Sequence, residues 1–190
     1  MGPFVEKNYL AARYGAKLEA VTGWGVGGAA KSLVTRAKVL RLGEVEIQNP
    51  VTELSLEKKG AFTSQYVAGN VGAGVLKRFN ITFDYPHQQL VFEPNVNYGK
   101  PDVFDRSGMW LNESEGVFEV MDVTAGGPSA TAGLKPGDKI LAIDGHPVSQ
   151  LSLPAVREQF KSEPAGTKLR LTVETKGQKH EIDLILKDLV

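Results

Sequence analysis

The chain has 190 residues, 42% hydrophobic and 23% charged, enough for one large domain or two small ones with real cores. Lys+Arg and Asp+Glu both count 22, so net charge gives no ground for binding nucleic acid or an anionic membrane surface. With no cysteine there is no disulfide, thiol nucleophile or Cys-based zinc site, and no apolar run has the length of a membrane span.

The even balance conceals an asymmetry. Residues 1–100 carry 12 basic against 8 acidic residues and residues 101–190 carry 10 against 14, which suggests two units. Met1-Gly2-Pro3-Phe4 is no signal peptide and reads as a start imposed on a piece of a longer protein. After Pro3, the spacing of Val5, Tyr9, Leu10 and Tyr14 predicts a helix with Gly15 as its left-handed stop. From Gly23 onward the period changes to glycine pairs and short alternating runs. Ala37, Val39 and Arg41 alternate with Lys38, Leu40 and Leu42, and Val45 and Ile47 precede Asn49-Pro50, so this stretch reads as strands and turns. Ile81 and Phe83, a turn over Tyr85-Pro86-His87-Gln88, then Leu90 and Phe92 read as a hairpin. The stretch "PNVNYGKPDVFDRSG" has prolines, Asn, Gly and charges without a period, and a linker is expected within it, over 96–106.

The second half is the more legible. Alternation predicts a strand Val117 to Val123, a small-residue helix over Pro128 to Ala132, a turn through Pro136-Gly137-Asp138, and a strand Lys139 to Ile143 closed by Asp144-Gly145. Ser152 as cap, Pro154 in the first turn, and Leu153, Val156 and Phe160 on one side predict a longer helix. Leu169, Leu171 and Val173, a Lys176-Gly177 turn, and Ile182, Leu184 and Leu186 predict a closing hairpin. Together these make a compact, partly open barrel.

The stretch "GGPSATAGLKPGDKILAIDGHPV", in this order of elements, resembles a PDZ domain of the bacterial protease-associated kind over roughly Ser107 to Lys187. The resemblance implies a groove between one strand and the longer helix, in which a peptide C-terminus adds as an extra strand. The family's carboxylate loop falls on Gly108-Met109-Trp110-Leu111, whose backbone N–H groups would hold a terminal carboxylate. Trp110 departs from the family, which often has glycine there, and is either a ligand contact or a lid over an unused groove. The implied peptide-binding set is Gly108, Met109, Trp110, Leu111, Val156 and Phe160; as simple core, Met109, Leu111, Val156 and Phe160 would show the same spacing. Arg157 and Lys161 are read as a solvated helix face.

The first half resembles the later part of a retropepsin-like aspartic protease domain. "VEKNYLAARYGAKL" matches the segment after the catalytic turn, and Gly23, Trp24, Gly25, Gly27 and Gly28 match the flap. Gly69 to Leu76 matches the late glycine strand and helix start, and "FNITFDYPHQQLVFEP" the closing hairpin. The family's chemistry needs an Asp-Thr-Gly or Asp-Ser-Gly turn, because two carboxylates must share a proton around one water. None of Asp84, Asp102, Asp105, Asp122, Asp138, Asp144, Asp183 or Asp188 begins one, so the chain holds no catalytic residue and its missing aspartate is expected upstream of Met1.

Other chemistries fail on single residues. "GNVGAG" has Val71 where a trypsin-like nucleophile turn needs a serine, "GWGVGGAAKS" lacks phosphate-loop spacing, and His87, His146 and His180 lack metal-ligand spacing. Asn80-Ile81-Thr82 and Asn112-Glu113-Ser114 fit a glycosylation pattern that arises freely.

The expectation is therefore a mainly β chain with short helices: a truncated retropepsin-like acid-protease β-barrel lobe over 1–95, a linker over 96–106 and a PDZ domain over 107–190. The resemblances imply the C-terminal part of a bacterial, periplasmic or secreted aspartic endopeptidase, a hydrolase in its full form but inactive as this chain. Its PDZ domain would bind peptide or protein C-termini, without cofactor, metal, nucleic acid or membrane span, and the lobe would allow a homodimer. The alternative is a non-catalytic peptide-binding adaptor that uses a degenerate lobe for dimerisation.

Overall fold

The computed structural model describes residues 2–60, 63–64 and 66–190. Its secondary structure is mainly β with short helices, and contacts divide it into two units, residues 1–17 with 33–102, and residues 18–32 with 103–190. The sequence reading cut the chain once, at 96–106. Contacts divide it within that segment, between residues 102 and 103, and in addition group 18–32 with the later unit.

The first unit opens with two short helices, α1 (Pro3–Lys7) and α2 (Leu10–Arg13), where one helix was expected. The break lies at Asn8-Tyr9. Asn8 Nδ2 donates to the Phe4 carbonyl at 2.8 Å, and Tyr9 takes a left-handed φ of 53°, so a local side-chain bond competes with continuation of the helix. Four strands concern this unit, the end of β2 (Gly28–Arg36), β3 (Val39–Leu42), β4 (Val45–Gln48) and β5 (Val51–Ser55). β3 and β4 pair from Val39↔Gln48 to Leu42↔Val45 around Gly43-Glu44, and β5 hydrogen-bonds β2. The glycine strand expected before the helix is irregular over Gly69–Gly72, where little side-chain surface exists to pack, and only α3 (Ala73–Leu76) forms. β6 (Phe79–Asp84) and β7 (Gln89–Pro94) make the predicted hairpin, with the Asp84 carboxylate accepting the His87 N–H at 3.1 Å in its turn.

Ile47, Val75 and Phe79 form this unit's small core. Phe79 meets the edges of Phe92 and Tyr98 with both centroids 5.5 Å away. Beside them lies Arg78, only 3% exposed, which donates to the carbonyls of Gly74 (3.0 Å), Tyr98 (3.1 Å) and Lys100 and lies 3.8 Å from Asp102. Asp102 in turn accepts the Val51 N–H at 2.9 Å. A buried guanidinium is tolerated because its donors are matched. The expected linker is therefore bonded into this unit as far as Asp102.

The second unit contains β1 (Leu18–Gly25), the start of β2, β8 (Met109–Ser114), β9 (Val117–Val123), α4 (Pro128–Thr131), β10 (Lys139–Ile143), β11 (His146–Pro147), α5 (Leu153–Ser162), β12 (Lys168–Thr175) and β13 (Gln178–Ile185). Its main sheet runs β13-β12-β10-β9-β8, with β11 on β10, so β8 ends the sheet. Alternation fixes the faces: Leu169 faces Leu184 across the β12–β13 pair and Leu171 faces Ile182, which puts the apolar side inward. Phe118, Val120, Ile140, Leu171 and Val173 are fully buried under α5, whose Leu153, Val156 and Phe160 close the core.

Candidate functional site

β8 and α5 are the two elements the sequence assigned to a peptide groove, and each is built by a local rule. α5 starts where Ser152 Oγ accepts the Ala155 N–H at 3.4 Å and Pro154 occupies the first turn. β8 pairs on one side with β9, from Met109↔Val123 to Ser114↔Val117, with a register shift between Trp110 and Leu111.

The pairing also shows where the main chain of Leu111 points. Leu111 lies opposite Val120, but Val120 N–H donates to the Asp138 carbonyl and Val120 C=O accepts from Gly137, both at 2.8 Å. Val120 thus spends both groups on the side away from β8. Leu111 C=O is left for the free edge, where the Arg157 Nη2 of α5 donates to it at 2.5 Å. The same guanidinium carbon lies 4.7 Å from the ring centre of Trp110, whose Nε1 donates to Asn112 Oδ1 at 3.1 Å. Arg157 is therefore not the solvated residue expected from its helix face. Burial lowers its pKa from the ordinary value, and among the described residues no carboxylate pairs with it.

The loop before β8 is held by a carboxylate of the chain itself. Asp105 Oδ2 accepts the Gly108 N–H at 2.6 Å, both Asp105 oxygens accept Ser107 Oγ–H at 2.9 Å, and Ser107 Oγ accepts the Met109 N–H at 3.3 Å. Ser129, fully buried, anchors the loop from α4 by donating its Oγ–H (2.6 Å) and N–H (3.0 Å) to the Ser107 carbonyl. Gly108 has φ 69°, and a Cβ there would stand 3.2 Å from Pro128 Cδ, so the position requires glycine. Burial pushes the Asp105 carboxyl above its ordinary value, partly offset by these bonds. The Gly108 amide expected to be free for a ligand carboxylate is thus already committed.

The remaining expected site residues fall into two places. Leu111, Val156 and Phe160 are 1–2% exposed and belong to the core, with half-buried Met109 packed against it. They form a floor beneath the surface on which Trp110 and Arg157 lie. Gly23, Trp24, Gly25, Gly27 and Gly28 occupy the β1–β2 hairpin with Val26-Gly27 at its tip, and Trp24 is 40% exposed. Gly28 takes a φ of 100°.

Sequence reasoning passed over two site residues. Asp105 carries a local signal, an Asp followed after one residue by Ser-Gly, which is an Asx-turn pattern. Arg157 has none, since its partners lie 46 and 47 positions away along the chain. Among the described residues no cluster of His, Cys, Asp or Glu could hold a metal ion, and no helix is long and apolar enough to cross a membrane.

Residues 119–175 match the family model for the PDZ domain. Among solved structures, the chain is similar to the PDZ domain of a carboxy-terminal protease from Vibrio cholerae in complex with peptide, at 25% identity over 46% of this chain and 98% of that one, with a TM-score of 0.40. It is also similar to the HtrA-type protease AlgW with decapeptide, at 19% identity over 91% of this chain and 60% of that one, with a TM-score of 0.44. A serine endoprotease from Yersinia pestis is 15% identical over 91% of this chain and 62% of that one, with a TM-score of 0.44. This chain thus spans less than two thirds of the last two proteins. No curated protein matches it.

Proposed function

We infer, from residues 119–175 being a PDZ domain, that this chain binds extended peptide segments along the free edge of β8, against α5. The observation that carries this reading is the unpaired main-chain edge at Leu111, whose carbonyl already takes a donor from outside the sheet. An added strand would satisfy such groups with backbone hydrogen bonds, which give affinity with little sequence preference. The committed Gly108 amide favours ligands that do not depend on a terminal carboxylate, so chain interiors suit this groove as well as C-termini. A labelled chain titrated with free and amidated forms of the same peptides tests this by nuclear magnetic resonance. The expected shifts lie on β8 and α5, with similar affinity for both forms; shifts confined to other strands would remove the groove from consideration.

For the whole protein we propose a PDZ-containing peptidase of the aspartic type, with the first unit as the end of its retropepsin-like lobe. What supports this is the order, within that unit, of the irregular glycine stretch Gly69–Gly72, a short helix at Ala73–Leu76 and the β6–β7 hairpin. The chain itself supplies no acid–base pair for it. Asp84 is held by His87, and Asp102 by Val51 N–H beside Arg78, so both aspartates of that unit have structural partners. Extending the gene product upstream and finding no Asp-Thr-Gly or Asp-Ser-Gly turn would favour the adaptor alternative.

A further inference from the structure

Arg157 occupies the place that an added strand would need. Its Nη2 holds Leu111 C=O at 2.5 Å, and its guanidinium covers Trp110 at 4.7 Å, so one cation bridges α5 and the end strand. Both of its partners are neutral. A partly buried guanidinium with no carboxylate partner is a site of unmatched charge, and a planar fork of donors fits a carboxylate better than it fits a carbonyl and a ring.

We propose that Arg157 is the specificity determinant of this groove, and that it selects extended peptides carrying an Asp or Glu side chain at the position facing it. This rests on the peptide-binding reading above and deepens it. In the exchange, the peptide's N–H replaces Nη2 on the Leu111 carbonyl, and the released guanidinium takes the peptide carboxylate while staying over Trp110. A peptide with a neutral side chain at that position must either compete with Arg157 for Leu111 or leave the guanidinium half-buried without a charged partner. It is disfavoured on both counts. Trp110, which stands where glycine was expected, thereby has a use: its face holds the cation near the edge when the carbonyl is surrendered.

The test uses the full chain and a random decapeptide display library, followed by synthesis of the selected peptides and of partners in which each Asp or Glu is replaced by Asn or Gln. The expected result is an acidic residue at one fixed position, with its amide counterpart binding about tenfold more weakly. Arg157→Gln should reduce that difference to less than about twofold, and Arg157→Glu should turn the preference toward Lys or Arg at the same position. Thermal melting of each variant establishes that it is folded, and the acid-to-amide comparison on the unmodified chain needs no variant. Selected peptides that bind acid and amide forms equally, or an Arg157→Gln chain that keeps the tenfold difference, would overturn the proposal while leaving the groove intact. A library that yields no binder would overturn the peptide-binding reading itself.

Discussion

Asp105 shows how one side chain can set both a loop and its pH response. Its carboxylate bonds Ser107 and Gly108, yet burial dominates and raises its pKa, so the folded chain favours its protonated form more than the unfolded chain does. The sign follows: this group's contribution is fully present below 3.8, the ordinary value, and is lost as pH rises through the raised value. Asp183, held low by Lys168, has the opposite slope, so only the difference between chains isolates Asp105. Asp105→Asn keeps an acceptor for Gly108 N–H and an amide for Ser107 Oγ. The wild-type chain should therefore lose melting temperature relative to Asp105→Asn as pH rises from about 3, levelling off above the raised pKa. A difference that stays constant across the series would show that burial does not shift this carboxyl.

At the scale of elements, α5 serves two purposes with adjoining faces. Its inward residues Leu153, Val156 and Phe160 seal the core, and Arg157 reaches the edge of β8. Phe160 is 1% exposed, so Phe160→Ala should cost about 3–5 kcal/mol in denaturant unfolding of this unit, through lost burial and a cavity that the packed sheet cannot fill. That cost is expected to exceed any direct effect on peptide affinity. If Phe160→Ala unfolds at the wild-type denaturant midpoint and loses binding, Phe160 is a groove wall rather than core. The strand and helix limits of this half were legible because alternation, the Ser152 cap and the Lys176-Gly177 turn are local signals, and the observed β9, β10, β12 and β13 follow them. The first half was less legible. Its glycines permit many conformations, the core cluster of its described residues joins only three buried apolar side chains, and a single Asn8 side chain was enough to divide the predicted helix.

For the whole molecule, the expectation is binding without cleavage. The aspartates outside the first unit are also engaged: Asp122 with Lys31, Asp138 with Lys135 N–H and Thr175, Asp144 with Arg170 N–H, Asp183 with Lys168, and Asp188 with Arg106. A shared-proton dyad needs two carboxylates facing one water, and the hydrogen bonds and ion pairs of the eight aspartates run to basic side chains, hydroxyls and backbone amides instead. Incubation of the purified chain with unfolded protein from acidic to neutral pH should leave the substrate intact. Cleavage sensitive to pepstatin would refute this and place a dyad within the chain.

The sequence by itself determined the PDZ domain, the inward faces of its strands and the lack of an Asp-Thr-Gly or Asp-Ser-Gly turn, because each is written in residues close together along the chain. Tertiary structure alone decided what the groove presents. Whether Leu111 C=O lies outside the β8–β9 pairing depends on how Val120 is used by Gly137 and Asp138, and whether Arg157 is solvated depends on a strand 46 residues away. Such facts follow from which elements pack together, and helix periodicity places Arg157 beside the inward row without saying what lies across from it.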